Sequence, residues 1–264
     1  MTPKLRLRRP NRKQLPPPEP AEIEEFQDGE AARMGLFDHL NELRIRVFRA
    51  AIALVVATIA GIPLATPVLM ELQRPYGREF TALGPTDSVV NYFRVVLMVG
   101  AIISIPVTTY QLLMFILPGL NSKEKRYLLT ALPAITGLFL IGAAFAWLVL
   151  VPPALGFLEG FQPTIFKPEW TADLYLSFVT TLIFWMGVAF QTPLVFFVLS
   201  LLGMVTAGAL MRQWRIAVVG AAIAAAVITP TIDPVNMALV MGPLLVLYAL
   251  SIVLVAIGRR FSRV

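Results

Sequence analysis

The chain has 264 residues, of which 57% are apolar and only 14% charged, with a mean hydropathy of +0.75 and a formal charge of +6. Soluble globular domains carry about 25% charged residues, so the composition excludes that class and marks an integral membrane protein whose solvent is mostly lipid. Cysteine is absent and His39 is the single histidine, which excludes disulfides, thiol chemistry and a Cys- or His-cluster metal site.

Residues 1–33 read as a disordered cytoplasmic tail. Basic residues (Lys4, Arg6, Arg8, Arg9, Arg12, Lys13) precede Pro16-Pro17-Pro18 and an acidic run from Glu19 to Glu30, with too few large apolar side chains for a core. No apolar run follows the basic start, so it does not read as a cleavable leader. Residues 34–264 read as one membrane domain.

That domain opens with His39-Leu40-Asn41-Glu42-Leu43-Arg44-Ile45-Arg46. Leu36, Leu40, Leu43 and Val47 share helical spacing, which predicts an amphipathic helix at the membrane surface. Arg44, Arg46 and Arg49 suit inside-facing anchors. Glu42 weakens such anchoring and needs a partner, for which Arg46 at i+4 is placed.

Charge-free windows then mark the spans, each needing ~20 residues to cross ~30 Å of hydrocarbon. They are residues 50–70, 95–122, 127–158, 174–211, 216–232 and 234–258. The fourth window is long enough for two spans, and charge decides for one, stopping near Gly203 to Gly208. With six spans, 18 of the 22 Lys and Arg fall on one side, leaving only Arg74, Arg78, Arg94 and Lys167 elsewhere. The positive-inside bias thus predicts six transmembrane helices with both termini cytoplasmic. The same segregation makes the +6 charge a membrane feature and argues against nucleic acid. Thr86 is expected to cap the second helix, with Asp87 favourable at its positive end. The fifth window has 17 residues and reaches only ~25 Å, so a local thinning of the bilayer is expected there.

Polar groups inside or beside the spans are the candidate functional residues. Between the second and third windows, Pro118-Gly119-Leu120 is followed by Lys123-Glu124-Lys125-Arg126. A carboxylate there, with Phe115 below it, suits a cationic peptide at the membrane surface. Glu42 and Glu124 fall on the same cytoplasmic face, and each can take a guanidinium through bidentate, charge-assisted bonds. At membrane depth stand Gln111, Gln191, Asp233 and Asn236. Gln191 is mid-span, two residues before Pro193, and suits a freed backbone group or a partner helix. Asp233, in Thr229-Pro230-Thr231-Ile232-Asp233-Pro234, suits an outer turn.

Together these blocks resemble the TatC family, the multispanning receptor of twin-arginine protein export. The family pattern H-L-x-E-L-R-x-R matches His39 to Arg46, and Y-Q-x-x-x-F-x-x-P-G-L-x-x-x-E-[KR] matches Tyr110 to Lys125. P-T-E resembles Pro85-Thr86-Asp87, continuing through Tyr92-Phe93-Arg94; F-G-x-x-F-E-x-P resembles Met186 to Pro193; T-P-x-D-P resembles Thr229 to Pro234 with one extra residue. The likeness runs in order from about residue 36 to residue 258. Three departures matter: the family's acid in the fourth helix is Gln191, its Y-E pair in the last helix is Tyr248-Ala249, and Asp87 mildly replaces a Glu. A glutamine carries no proton, which puts in doubt any step needing a titrating carboxylate there.

The resemblance implies an all-α, curved arrangement of six helices in a bacterial cytoplasmic (inner) membrane. It implies a receptor for twin-arginine signal peptides of folded precursors, partnered by single-span TatA- and TatB-type proteins, homo-oligomeric in the receptor complex and driven by the proton gradient. Glu42 and Glu124 would hold the arginines, Phe115 and Leu120 the apolar residues beyond them, and Arg44 would fix Glu42 or the surface helix. Gln191, Pro85 and Asp233 are the positions for partner contact and intramembrane polar groups. No cofactor is expected, and no phosphate loop is visible. A small secondary transporter is the alternative class, since six spans with buried polar groups suit one. An intramembrane enzyme is disfavoured because no Asp pair, Ser-His pair or metal motif is present.

Overall fold

The computed structural model describes residues 20–116, 132–166, 168–201, 203–229 and 233–261. The chain falls into two units, Met1–Ile45 and Arg46–Val264. All regular elements among the described residues are helices, as the sequence predicts. They are α1 (Pro20–Gln73), α2 (Asp87–Ile116), α3 (Leu132–Phe145), α4 (Val151–Gly160), α5 (Ala172–Ala189), α6 (Thr192–Leu201), α7 (Ala207–Arg212), α8 (Trp214–Ile228) and α9 (Pro234–Phe261). Helix α1 begins inside the stretch that composition marks as a tail. It also includes the expected surface segment and the first span in one element, because the sequence between them holds no proline before Pro63.

Five stretches are long and apolar enough to cross a bilayer: His39–Tyr76, Asp87–Phe115, Leu132–Gly160, Ala172–Leu201 and Pro234–Gly258. The fifth expected span, residues 216–232, falls on α8, whose 15 residues reach ~22 Å at 1.5 Å per residue and which is not among the five. Large apolar side chains such as Ile59, Leu148, Ile223, Val227 and Val246 are exposed on these helices. In a membrane protein such side chains face lipid, which is as apolar as they are.

Two of the long stretches are interrupted, each where proline removes a backbone donor. Between α3 and α4, residues Ala146–Leu150 widen to a π-helix, and the Val151 N–H donates to the Ala146 carbonyl five residues back. Pro152 and Pro153 follow at once, so the carbonyls of Leu148 and Val149 have no α-helical donor, and the wider turn makes room for the rings. Between α5 and α6 the chain turns at Phe190-Gln191, just before Pro193. The long fourth stretch ends at Gly203, whose φ of 75° is left-handed, and Thr206 then caps α7 by accepting from the Ala209 N–H.

Small residues let the helices approach. A Cβ on Gly100 of α2 would lie 2.5 Å from the Thr58 Cα of α1, so their backbones cross here nearly in contact. Gly187 of α5 lies under the Phe139 ring of α3, and Gly142 of α3 under Phe190. The core of the second unit is built on these crossings, with Val95, Val96, Phe139, Tyr175, Leu176 and Met186 almost fully buried.

Candidate functional site

Helix α1 carries the first predicted block. Glu42 and Arg46 lie one turn apart and are both half-buried, whereas Arg44 is exposed. In the same stretch of α1 the apolar side chains Phe37, Leu40, Leu43 and Val47 are all exposed. At ~100° per residue Glu42 and Arg46 share one side of this helix, while Leu40, Leu43, Val47 and Arg44 lie on the other.

Phe115 is half-buried in the last turn of α2. Beside it Leu113 packs with Ile135 of α3 and Val198 of α6 into a small buried cluster. Gln111, one turn earlier, has its Oε1 buried without a hydrogen-bond partner among the described residues. Leu120 and Glu124, with Pro118 and Gly119, lie outside the described residues.

Gln191 sits in the turn between α5 and α6. Its Nε2 donates to the Ile135 carbonyl at 3.1 Å, and its Oε1 is buried with no partner among the described residues. The freed carbonyl expected from Pro193 is that of Ala189, four residues before the proline, yet Gln191 serves α3 instead. The side chain thus couples the break to a neighbouring helix, and Phe190 reinforces this with a ring contact to Phe145 at 5.6 Å.

At the opposite end of α2, the Asp87 side chain turns back onto the residues before the helix, and no side-chain bond of Thr86 caps it among the described residues. Asp87 Oδ2 accepts from the Gly84 N–H at 2.7 Å and the Leu83 N–H at 3.1 Å, closing the turn that exposes Pro85. Thr86 contributes its carbonyl, which accepts from the Val90 N–H. A polar chain runs on from there. Asn91 Nδ2 donates to the Asp87 carbonyl, and Arg94 Nη1 donates to Asn91 Oδ1 at 2.6 Å. The same Nη1 reaches Asp173 Oδ1 at 2.9 Å and the Asp173 carbonyl at 3.2 Å, tying α2 to the first turn of α5.

Aromatic residues close this end. Tyr175 is buried and donates to the Leu72 carbonyl at 2.7 Å, while Tyr76 donates to the Trp170 carbonyl. Their rings lie 4.9 Å apart, Phe80 packs on both, and the Ala172 N–H donates to the Thr81 carbonyl. Sequence reasoning missed this lock and the Arg94–Asp173 pair. The one available signal was that Arg94 is a cation stranded away from the positive side.

Asp233 is the N-cap of α9: its Oδ1 accepts from the Asn236 N–H at 2.7 Å, and its Oδ2 from Asn236 Nδ2 at 2.9 Å. In α9 the Tyr248 hydroxyl donates to the Leu210 carbonyl, and Ala249 is exposed. No group of three or more metal-ligating side chains occurs among the described residues.

The chain has counterparts among known proteins. The family model for the Sec-independent protein translocase protein (TatC) matches residues 38–243. The chain belongs to the TatC family. The Sec-independent protein translocase protein TatC of Synechocystis is 35% identical over 216 residues, covering 81% of this chain and 85% of that one. The chloroplastic TATC of Arabidopsis thaliana is also 35% identical, covering 81% of this chain and 64% of that one. A crystal structure of the twin arginine translocase receptor TatC superposes with a TM-score of 0.75 at 35% identity, over 84% of this chain and 99% of the other. The protein is therefore a multi-spanning membrane component of the Tat translocase, with a role in transport and not in catalysis. Of the TatC blocks, the N-terminal one lies on α1, the Pro85-Thr86-Asp87 block is the turn into α2, and the block ending at Pro193 forms the α5–α6 break.

Proposed function

We propose that this protein is the signal-peptide-binding subunit of a twin-arginine translocase that exports folded proteins across a bacterial cytoplasmic membrane. Glu42 and Glu124 each take one guanidinium of the twin-arginine motif, Phe115 and Leu120 pack the apolar residues that follow, and Arg44 orients the surface around Glu42. The observation that carries the reading is Glu42: a half-buried carboxylate on a stretch of α1 whose large apolar side chains are open. That pairing suits a ligand with cations followed by an apolar segment, because the carboxylate binds a guanidinium in two parallel bonds and the open side chains gain by burial.

The reading includes six spans with both termini in the cytoplasm, α8 being the short one. It is supported by the segregation of 18 of 22 basic residues to one side. TatA- and TatB-type single-span proteins are the partners, Gln191 and the exposed Pro85 turn lie among the positions they use, and several copies assemble in the receptor complex. The proton gradient supplies the energy.

The decisive experiment is site-specific photocrosslinking from positions 42 and 124, in the full-length membrane-inserted protein, to a twin-arginine signal peptide with a twin-lysine peptide as control. Crosslinks confined to the arginine peptide support the assignment. Equal crosslinking of both peptides, or of neither by a folded protein, removes it.

A further inference from the structure

Arg94 stands seven residues into α2, ~10 Å below the start of the helix. All its hydrogen bonds to described residues use Nη1. A guanidinium carries five N–H donors, so the three on Nη2 and Nε have no partner among the described residues. Asp173 is similar on the other side of the pair: Oδ1 is bonded, Oδ2 has no partner among the described residues, and its side chain is 48% exposed. Beside the pair an open groove of about 450 Å³ runs along α2, lined by Val89, Val90, Phe93, Arg94 and Leu97. The four apolar members are all exposed.

Donors left bare beside hydrocarbon are costly. Arginines near a helix end relieve the cost by reaching for the interface. Here the guanidinium leans toward the N-terminal turn of α2 and the first turn of α5, so it reaches the level of lipid headgroups. The pair has no net charge. A purely anionic headgroup would meet the Asp173 carboxylate, and a purely apolar ligand would leave the guanidinium donors bare. A headgroup with a phosphate beside an N–H-bearing cation matches both halves.

We propose that this groove binds an ethanolamine phospholipid of the leaflet at this end of the protein. The phosphate accepts from Nη2 and Nε of Arg94, the ammonium donates to Asp173 Oδ2, and one acyl chain lies along Val90, Phe93 and Leu97. The site is independent of the signal-peptide reading. A choline headgroup has no N–H to donate, and a glycerol headgroup has no cation, so both bind more weakly.

The test is the full-length protein purified from membranes and equilibrated with an equimolar mixture of phosphatidylethanolamine, phosphatidylcholine and phosphatidylglycerol, with bound lipid read by native mass spectrometry. The native protein should retain the ethanolamine lipid about tenfold over either competitor, the ratio expected for one charge-assisted hydrogen bond. Asp173→Asn should abolish the preference. Leu97→Trp, which fills the groove and leaves the charges alone, should lower retention of all three lipids; it carries the test if Asp173→Asn does not fold. Glycerophosphoethanolamine and inorganic phosphate, which lack the chains, should not displace the lipid. Equal retention of the three lipids by the native protein would overturn the proposal. So would a preference unchanged in Asp173→Asn, retention of the three lipids unchanged in Leu97→Trp, or displacement by either chain-free probe.

Discussion

The side-chain amide of Gln191 donates to the backbone carbonyl of Ile135, a residue 56 positions earlier in the chain. This bond holds the turn between α5 and α6 against the first turn of α3. It also explains how a neutral residue serves at a position where the TatC pattern has an acid: the amide supplies a donor without carrying a proton. Gln191→Leu should lower stability by about 1–3 kcal/mol, the usual cost of leaving a buried group unpaired, and should impair assembly with single-span partners. Gln191→Glu should support export. Thermal unfolding in detergent and a twin-arginine reporter assay read the two effects. Full activity and native stability of Gln191→Leu would reduce the residue to filler.

The carboxylate at Glu42 leads to a prediction about specificity. Glu42→Gln keeps the shape and removes the charge, so export of a twin-arginine reporter should fall by about tenfold or more, the equivalent of one lost charge-assisted bond. Glu124→Ala should have a comparable or larger effect. Stability of the purified protein should not change with Glu42→Gln. Export at the native rate in either variant would show that the altered carboxylate is not an essential contact.

Tyr175 reaches from α5 to the end of α1 through its bond to the Leu72 carbonyl. Tyr175→Phe retains the ring packing against Tyr76 and Phe80 and deletes only the hydroxyl. A loss of about 1–2 kcal/mol is expected, since the Leu72 carbonyl then loses that donor. Denaturant unfolding of native and variant protein measures it, and an unchanged midpoint would argue that water or lipid headgroups replace the bond at no cost.

Two glycines make a contrast that depends only on what surrounds them. Gly100→Ala puts a methyl 2.5 Å from the Thr58 Cα, where backbone must move. It should destabilise by about 1–3 kcal/mol, as overpacking does. Gly242 lies inside α9 with nothing within 4 Å of its missing Cβ, so Gly242→Ala should be neutral or stabilising by up to ~1 kcal/mol. Unfolding midpoints that move in the same direction for both variants would contradict the α1–α2 crossing.

The helical class and the positions of five long apolar stretches were legible because lipid imposes a simple condition: a stretch without charge, long enough to cross, must satisfy its own backbone. Pro193 signalled a lost helix hydrogen bond, but the break at Phe190-Gln191 inside the fourth span was not read from the sequence. The partner of Gln191 was not legible, because the carbonyl it meets belongs to a helix whose packing depends on Gly142 and Gly187 admitting aromatic rings. Local chemistry was misread as well: Thr86-Asp87 has the residue types of a cap, but the carboxylate turns back to Gly84, where a side chain would block it.

What the sequence determined by itself is the class of molecule and its family, through apolar windows, basic-residue segregation and five short blocks in order. These signals are local or additive along the chain, so no three-dimensional information is needed to read them. Only the tertiary structure decided which polar groups meet. Arg94 with Asp173, Tyr175 with Leu72 and Gln191 with Ile135 are separated by 56 to 103 residues. Each pairing depends on how closely the helices approach, and that is set by glycines and aromatic rings whose fit is a property of shape and not of composition.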